Sequence, residues 1–102
     1  MIFKKGKVKD GILSKLIIKR VDGNEVRTKY DSDYSLGGHH YRYSFIPEQE
    51  IWIENRLDTK ESAYTLFHEL VERTLMKERG YDYEKAHQIA KNYEDQLRSQ
   101  DK

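Results

Sequence analysis

Cysteine is absent from the 102-residue chain, which excludes a disulfide framework and any thiolate metal site. Proline occurs once, at Pro47, so little interrupts the regular elements elsewhere. No apolar run approaches the ~20 residues a membrane-spanning helix needs. The first residues, Met1-Ile2-Phe3-Lys4-Lys5-Gly6-Lys7, lack the apolar stretch of a secretory signal. A cytoplasmic protein without a membrane partner is therefore expected. Neither sign of charge dominates: 19 lysines and arginines face 18 aspartates and glutamates. That balance argues against a broad electrostatic footprint for nucleic acid. The basic amino end (Lys4, Lys5, Lys7, Lys9, Lys15, Lys19 and Arg20) is most simply a solvated sheet face.

What is present points to one small α+β domain spanning 1–102, with a β-rich half over 1–57 and a helical half over 58–100. Leu13, Leu16, Ile17 and Ile18 predict a strand within Ile12 to Val21. Asp22-Gly23-Asn24 reads as a turn, with Glu25 to Tyr30 returning as the hairpin partner. Gly37-Gly38-His39-His40 reads as a flexible polar loop. The alternation of Tyr41 to Phe45 and the β-prone Ile51-Trp52-Ile53 predict two further strands. Asp58 caps a helix from about Thr59 to Arg79, stopped by Gly80, and Asp82 caps a second from about Tyr83 to Arg98. The expected architecture is a small antiparallel amino-terminal sheet packed on two antiparallel carboxy-terminal helices.

The string His68-Glu69-Leu70-Val71-Glu72 lies on the first helix and His87 on the second. At about 100° per residue, Tyr64, Phe67, Val71, Thr74 and Leu75 form a core side, with His68 at its edge and Glu72 about 40° beyond. His87 sits likewise beside Tyr83, Ala86, Ala90, Tyr93 and Leu97, with Glu94 two turns on along its own face. Both helices thus carry a histidine at the rim of a buried stripe with a carboxylate nearby. Two histidines and a carboxylate are a ligand set for a divalent cation that keeps one position open. Each residue alone also suits ordinary hydrogen-bonded structure or a solvated helix face.

Tyr64-Thr65-Leu66-Phe67-His68-Glu69-Leu70-Val71-Glu72-Arg73, then Leu75-Met76, Gly80, Tyr83, Ala86-His87 and Ala90, resembles a group of small zincin-like metallopeptidases of phages and microbial genomes. Ile51-Trp52-Ile53-Glu54 resembles the short strand that precedes their active-site helix. The resemblance covers the last half of the chain. It implies a minimal zincin-like fold, zinc, and peptide-bond hydrolysis by a metal-activated water, with His68 as ligand and Glu69 as general base. It also implies a peptide or protein substrate, for which Ile51–Ile53 offers an edge for strand addition. The chain departs from the common His-Glu-x-x-His pattern, because Glu72 stands where the second histidine would be. His87 then replaces the glutamate that the second helix supplies in one zincin branch. The expected ligands are His68, Glu72 and His87, with Glu94 as an outer partner of His87 or an alternative ligand. His40, Tyr41 and Tyr43 are candidates for stabilising an oxyanion.

Other readings are a non-catalytic zincin-like interaction module whose ion is structural or lost, and a di-iron site built on Glu84-x-x-His87. The latter needs four helices and two such motifs, where this chain offers two helices and one.

Overall fold

A computed structural model describes residues 16–101. Six elements follow in order: β1 (Ile17–Val21), α1 (Gly23–Lys29), β2 (Gly37–His39), β3 (Glu50–Glu54), α2 (Thr59–Arg79) and α3 (Tyr83–Gln100). The α+β architecture expected from the sequence is present: a small sheet packed against two carboxy-terminal helices. The sheet itself is mixed. β3 is its middle strand, parallel to β1 with Ile18 opposite Ile51, and antiparallel to β2 with Gly38 opposite Trp52. With both edges taken, Ile51–Ile53 has no edge left for strand addition by a peptide.

The departure from an all-antiparallel sheet begins at Asp22. Its carboxylate accepts hydrogen bonds from the N–H groups of Asn24 and Glu25, which caps a helix. Gly23-Asn24 therefore forms the first turn of α1, and Glu25 to Lys29 does not return as a strand. Glu25 in the first turn and Arg27 and Lys29 in the last complement the helix dipole. Residues 12–15 of the expected first strand, and the basic positions up to Lys15, lie outside the described residues.

Residues 40–49 form successive turns, not the strand expected at Tyr41 to Phe45. The N–H groups of Arg42 and Tyr43 both bond the His39 carbonyl, at 3.3 and 2.9 Å, and Ile46 N–H bonds the Tyr43 carbonyl at 3.0 Å. Folding the segment this way buries Tyr43 and Ile46 with Val26 and Tyr34, and Phe45 and Trp52 close the cluster. Tyr30 stacks on Phe45 with ring centroids 4.7 Å apart. This aromatic layer covers one face of the sheet, and α2 covers the other.

The two faces explain the paired glycines. On β2 successive residues point to opposite faces. A Cβ on Gly37 would lie 2.8 Å from Thr65 Cγ2 and 3.1 Å from Glu69 Cγ, both on α2. One on Gly38 would lie 2.9 to 3.1 Å from Tyr43, Tyr34 and Ile46 in the aromatic layer. Gly37-Gly38-His39 is thus a tightly packed, wholly buried strand and not a flexible loop. His39, two residues after Gly37, faces α2.

Both long helices begin where their caps predict. Asp58 accepts from Glu61 N–H and Asp82 from Lys85 N–H, while Gly80 ends α2 at φ 68°. α3 runs on to Gln100. The pairs Glu61–Arg98, His68–Glu94 and Glu72–His87 run in opposite order along the two helices, so they pack antiparallel. Ala86 and Ala90 are fully buried and allow the close approach. The expected core side of α2 is only half-buried at Phe67, Val71 and Leu75, and Thr74 is exposed. Its buried residues are instead Tyr64, His68, Glu69, Glu72 and Arg73. Among the described residues no helix is long and apolar enough to cross a membrane.

Gly38→Ala should destabilise the fold by about 1–3 kcal/mol through overpacking against Tyr34, Tyr43 and Ile46. Urea unfolding measures this, and a change within about 0.5 kcal/mol would contradict the packing described.

Candidate metal centre

Glu72 is the residue on which the elements converge. It is only 2% exposed, on the buried side of α2 between β2 and α3. Its Oε2 lies 3.1 Å from His68 Nε2, one helical turn earlier, and 2.8 Å from His87 Nδ1 on α3. The two imidazole nitrogens are 3.1 Å from each other. Bonds of about 2.0–2.1 Å to a tetrahedral cation place its ligand atoms about 3.3 Å apart. Three mutual separations of 2.8, 3.1 and 3.1 Å therefore describe one face of such a coordination shell. His68 Nε2 and His87 Nδ1 both lie within hydrogen-bond reach of the same carboxylate oxygen and of each other. A single divalent ion would satisfy all three atoms at once. His68, Glu72 and His87 can hold a metal ion, and the donor set fits one.

The other polar atoms of His68 and Glu72 are both engaged. His68 Nδ1–H donates to Glu94 Oε1 at 2.9 Å, so its Nε2 lone pair is free for a cation. Glu94 thus orients His68, not His87 as expected from its place on α3. Arg98 holds Glu94 in turn, donating from Nε to Oε2 at 2.8 Å, and grips Glu61 with both terminal nitrogens at 3.0 and 2.8 Å. Glu72 Oε1 is bound by His39 Nε2 at 2.9 Å. His39 Nδ1 accepts the Tyr41 N–H at 3.1 Å, so the ring proton is on Nε2 and donates to Glu72. His39 is fully buried, and it leaves only Oε2 of Glu72 pointing at the two other histidines.

Electrostatics follow from this arrangement. Burial alone would raise the Glu72 pKa, but hydrogen bonds from His39, His68 and His87 outweigh it and hold the carboxyl down to about 2. Burial also works against a charged His68, yet the Glu72 hydrogen bond, the Glu69 and Glu72 charges and the Glu94 hydrogen bond raise its pKa overall. Glu69 behaves in the opposite way. Burial, and then the charge of Glu72, push its carboxyl up to about 8. It makes no hydrogen bond to the described residues and borders a cleft of about 220 Å³ that also reaches His68, Glu72 and His87. The His87 side chain is 41% exposed, so the trio opens toward this cleft on the α3 side.

The sequence-predicted residues are thus brought together: His68, Glu72 and His87 as one cluster, Glu69 on the same cleft, and Glu94 behind His68. Of the oxyanion candidates, Tyr43 lines the cleft, but its hydroxyl donates to the Asp33 carbonyl at 3.2 Å. Tyr41 instead donates its hydroxyl to Glu48, and His40 Nδ1–H donates to the Ile46 carbonyl. Glu84 is exposed and takes no part, which removes the basis for a di-iron site on Glu84-x-x-His87. Sequence reasoning missed His39, whose three-residue strand is too short to carry a periodic signal. The usable clue was the adjacent Gly37-Gly38, which marks close backbone packing as well as flexibility. Comparisons with protein-family models, curated proteins and solved structures yield no significant match.

His39→Ala and Glu94→Ala should each weaken binding of a divalent cation about 10- to 100-fold without abolishing it, because each removes the partner that orients a ligand. Competition with a chromophoric chelator reads this directly. Unchanged affinity in both variants would remove these residues from the centre.

Proposed function

We propose that this chain is a zinc-dependent peptidase of a minimal zincin-like type. The observation that carries the reading is the convergence of His68 Nε2, His87 Nδ1 and Glu72 Oε2 within 2.8–3.1 Å of one another, with Glu69 beside them on one cleft. Two imidazoles and one carboxylate are the donors zinc takes in hydrolytic sites. The trio also supports the exchange of positions inferred from the sequence, in which Glu72 and His87 swap the usual histidine and glutamate. When bound, the cation supplies Lewis acidity toward a peptide carbonyl and makes a nearby water acidic.

The chain's own residues carry the rest. Glu69 accepts the proton of the attacking water and returns it to the leaving amine; a carboxyl poised near neutral pH serves both roles. Gly37 admits this, since any side chain there would press on Glu69. Tyr83, whose hydroxyl is 3.4 Å from His87 Nδ1, places a phenolic group at the cleft wall, suited to a developing oxyanion. Leu36 and Gly37, where β2 begins, border the cleft and offer backbone for an extended peptide. The lack of cysteine fits a reducing cytoplasm.

A rival reading, a zincin-like interaction module with a structural ion, draws on a second cluster. One donor atom each from His39, Glu69 and Glu72 lie within 4.8 Å of one another. If Glu69 were a ligand, the shell would close and no base would remain. Glu69→Gln separates the two. For a peptidase, zinc content stays the same while hydrolysis of a casein or mixed-peptide substrate falls about 10²- to 10⁴-fold. Zinc lost from that variant, with no hydrolysis by the parent chain, would favour the module.

A further inference from the structure

Two arginines line the cleft, and they are held differently. Arg98 directs its Nε and both terminal nitrogens to Glu94 and Glu61. Arg42 makes no ion pair among the described residues. Asp31 acts on it only through space. Its Cζ lies 4.7 Å from the centroid of the Tyr43 ring and 4.4 Å from that of Tyr83. The two rings lie over the guanidinium and the Tyr83 hydroxyl sits within hydrogen-bond reach of it, which leaves the remaining terminal N–H donors for a further acceptor. Its Nε is buried and has no hydrogen-bond partner. Nε is closed off from the cleft, so an incoming acceptor would meet the terminal nitrogens, which pair with no carboxylate among the described residues.

The position is informative too. Tyr83 bridges Arg42 to the trio, with its ring against the guanidinium and its hydroxyl 3.4 Å from His87 Nδ1. One tyrosine corresponds to the reach of one or two residues of extended peptide, at about 3.5 Å each. A planar guanidinium presents paired donors that match a carboxylate, and two rings fix its orientation in advance.

We infer that Arg42 is a specificity-determining residue that receives a substrate carboxylate one or two residues from the bond to be cleaved. This rests on the peptidase reading for the substrate being a peptide. The carboxylate has two possible sources, a free carboxy terminus or an acidic side chain.

Calorimetry on the zinc-loaded full chain tests this with three acetylated tripeptides. They are Ala-Ala-Phe as the free acid, the same peptide as its amide, and Ala-Glu-Phe as the amide. Arg42 recognition predicts that at least one charged peptide binds about tenfold more tightly than the uncharged amide. Arg42→Gln should erase that preference and Arg42→Lys should keep part of it, with melting temperature and zinc content unchanged. A preference limited to the free acid names the carboxy terminus, and one limited to the glutamate peptide names a side chain. Equal binding of all three, no binding of any, or a preference that survives Arg42→Gln would overturn the inference. The last result would place the carboxylate on the cation or on another residue. Zinc content, measured on the same samples, reports separately on the metal centre: a chain without zinc refutes the centre and still yields the acid–amide comparison.

Discussion

A carboxylate buried on α2 has to be compensated, and the rest of the site is the means of compensation. Glu72 receives His39 from β2, His68 from its own helix and His87 from α3. Removing a carboxylate from water costs several kcal/mol unless charge and hydrogen bonds replace the solvent. Here that replacement ties three elements to one side chain. It also explains why the buried face of α2 is polar while its apolar side is only half-buried. A divalent ion at the centre would add positive charge beside Glu72, and its binding would then be linked to folding in this small domain.

The same arrangement separates two neighbouring carboxyls. Glu72 is held ionised by three histidines, while Glu69, a turn position away and without a hydrogen-bond donor among the described residues, is pushed toward its neutral form. Groups whose surroundings drive their proton affinities apart are suited to different tasks, on the proposed reading those of ligand and proton carrier. The glycine at position 37 is the structural condition for this, because it lets β2 approach α2 without displacing Glu69.

The helical half was readable because its signals are local. Asp58, Gly80 and Asp82 fix the ends of α2 and α3 through capping bonds that involve only neighbouring residues. The periodicity that put His68, Glu72 and His87 on facing sides needs nothing beyond the helical repeat. The first half was less legible because its outcome depends on competition. Asp22-Gly23-Asn24 suits a hairpin turn and a helix cap alike, and capping prevailed. Tyr41 to Phe45 alternates like a strand, but burying Tyr43 and Ile46 against Val26 and Tyr34 outweighs strand pairing. His39 and Arg42 gain their significance from residues distant in sequence, Glu72 and Tyr83, which no local pattern reveals.

The most direct test of the centre is metal stoichiometry by native mass spectrometry. The untagged chain, offered zinc near neutral pH, would be compared with His68→Ala, Glu72→Ala and His87→Ala. One tightly held ion in the parent chain and none in each variant is the expected result. No ion in the parent chain, or one retained when Glu72 is removed, would show that the convergence on Glu72 is a hydrogen-bonded network and not a metal centre.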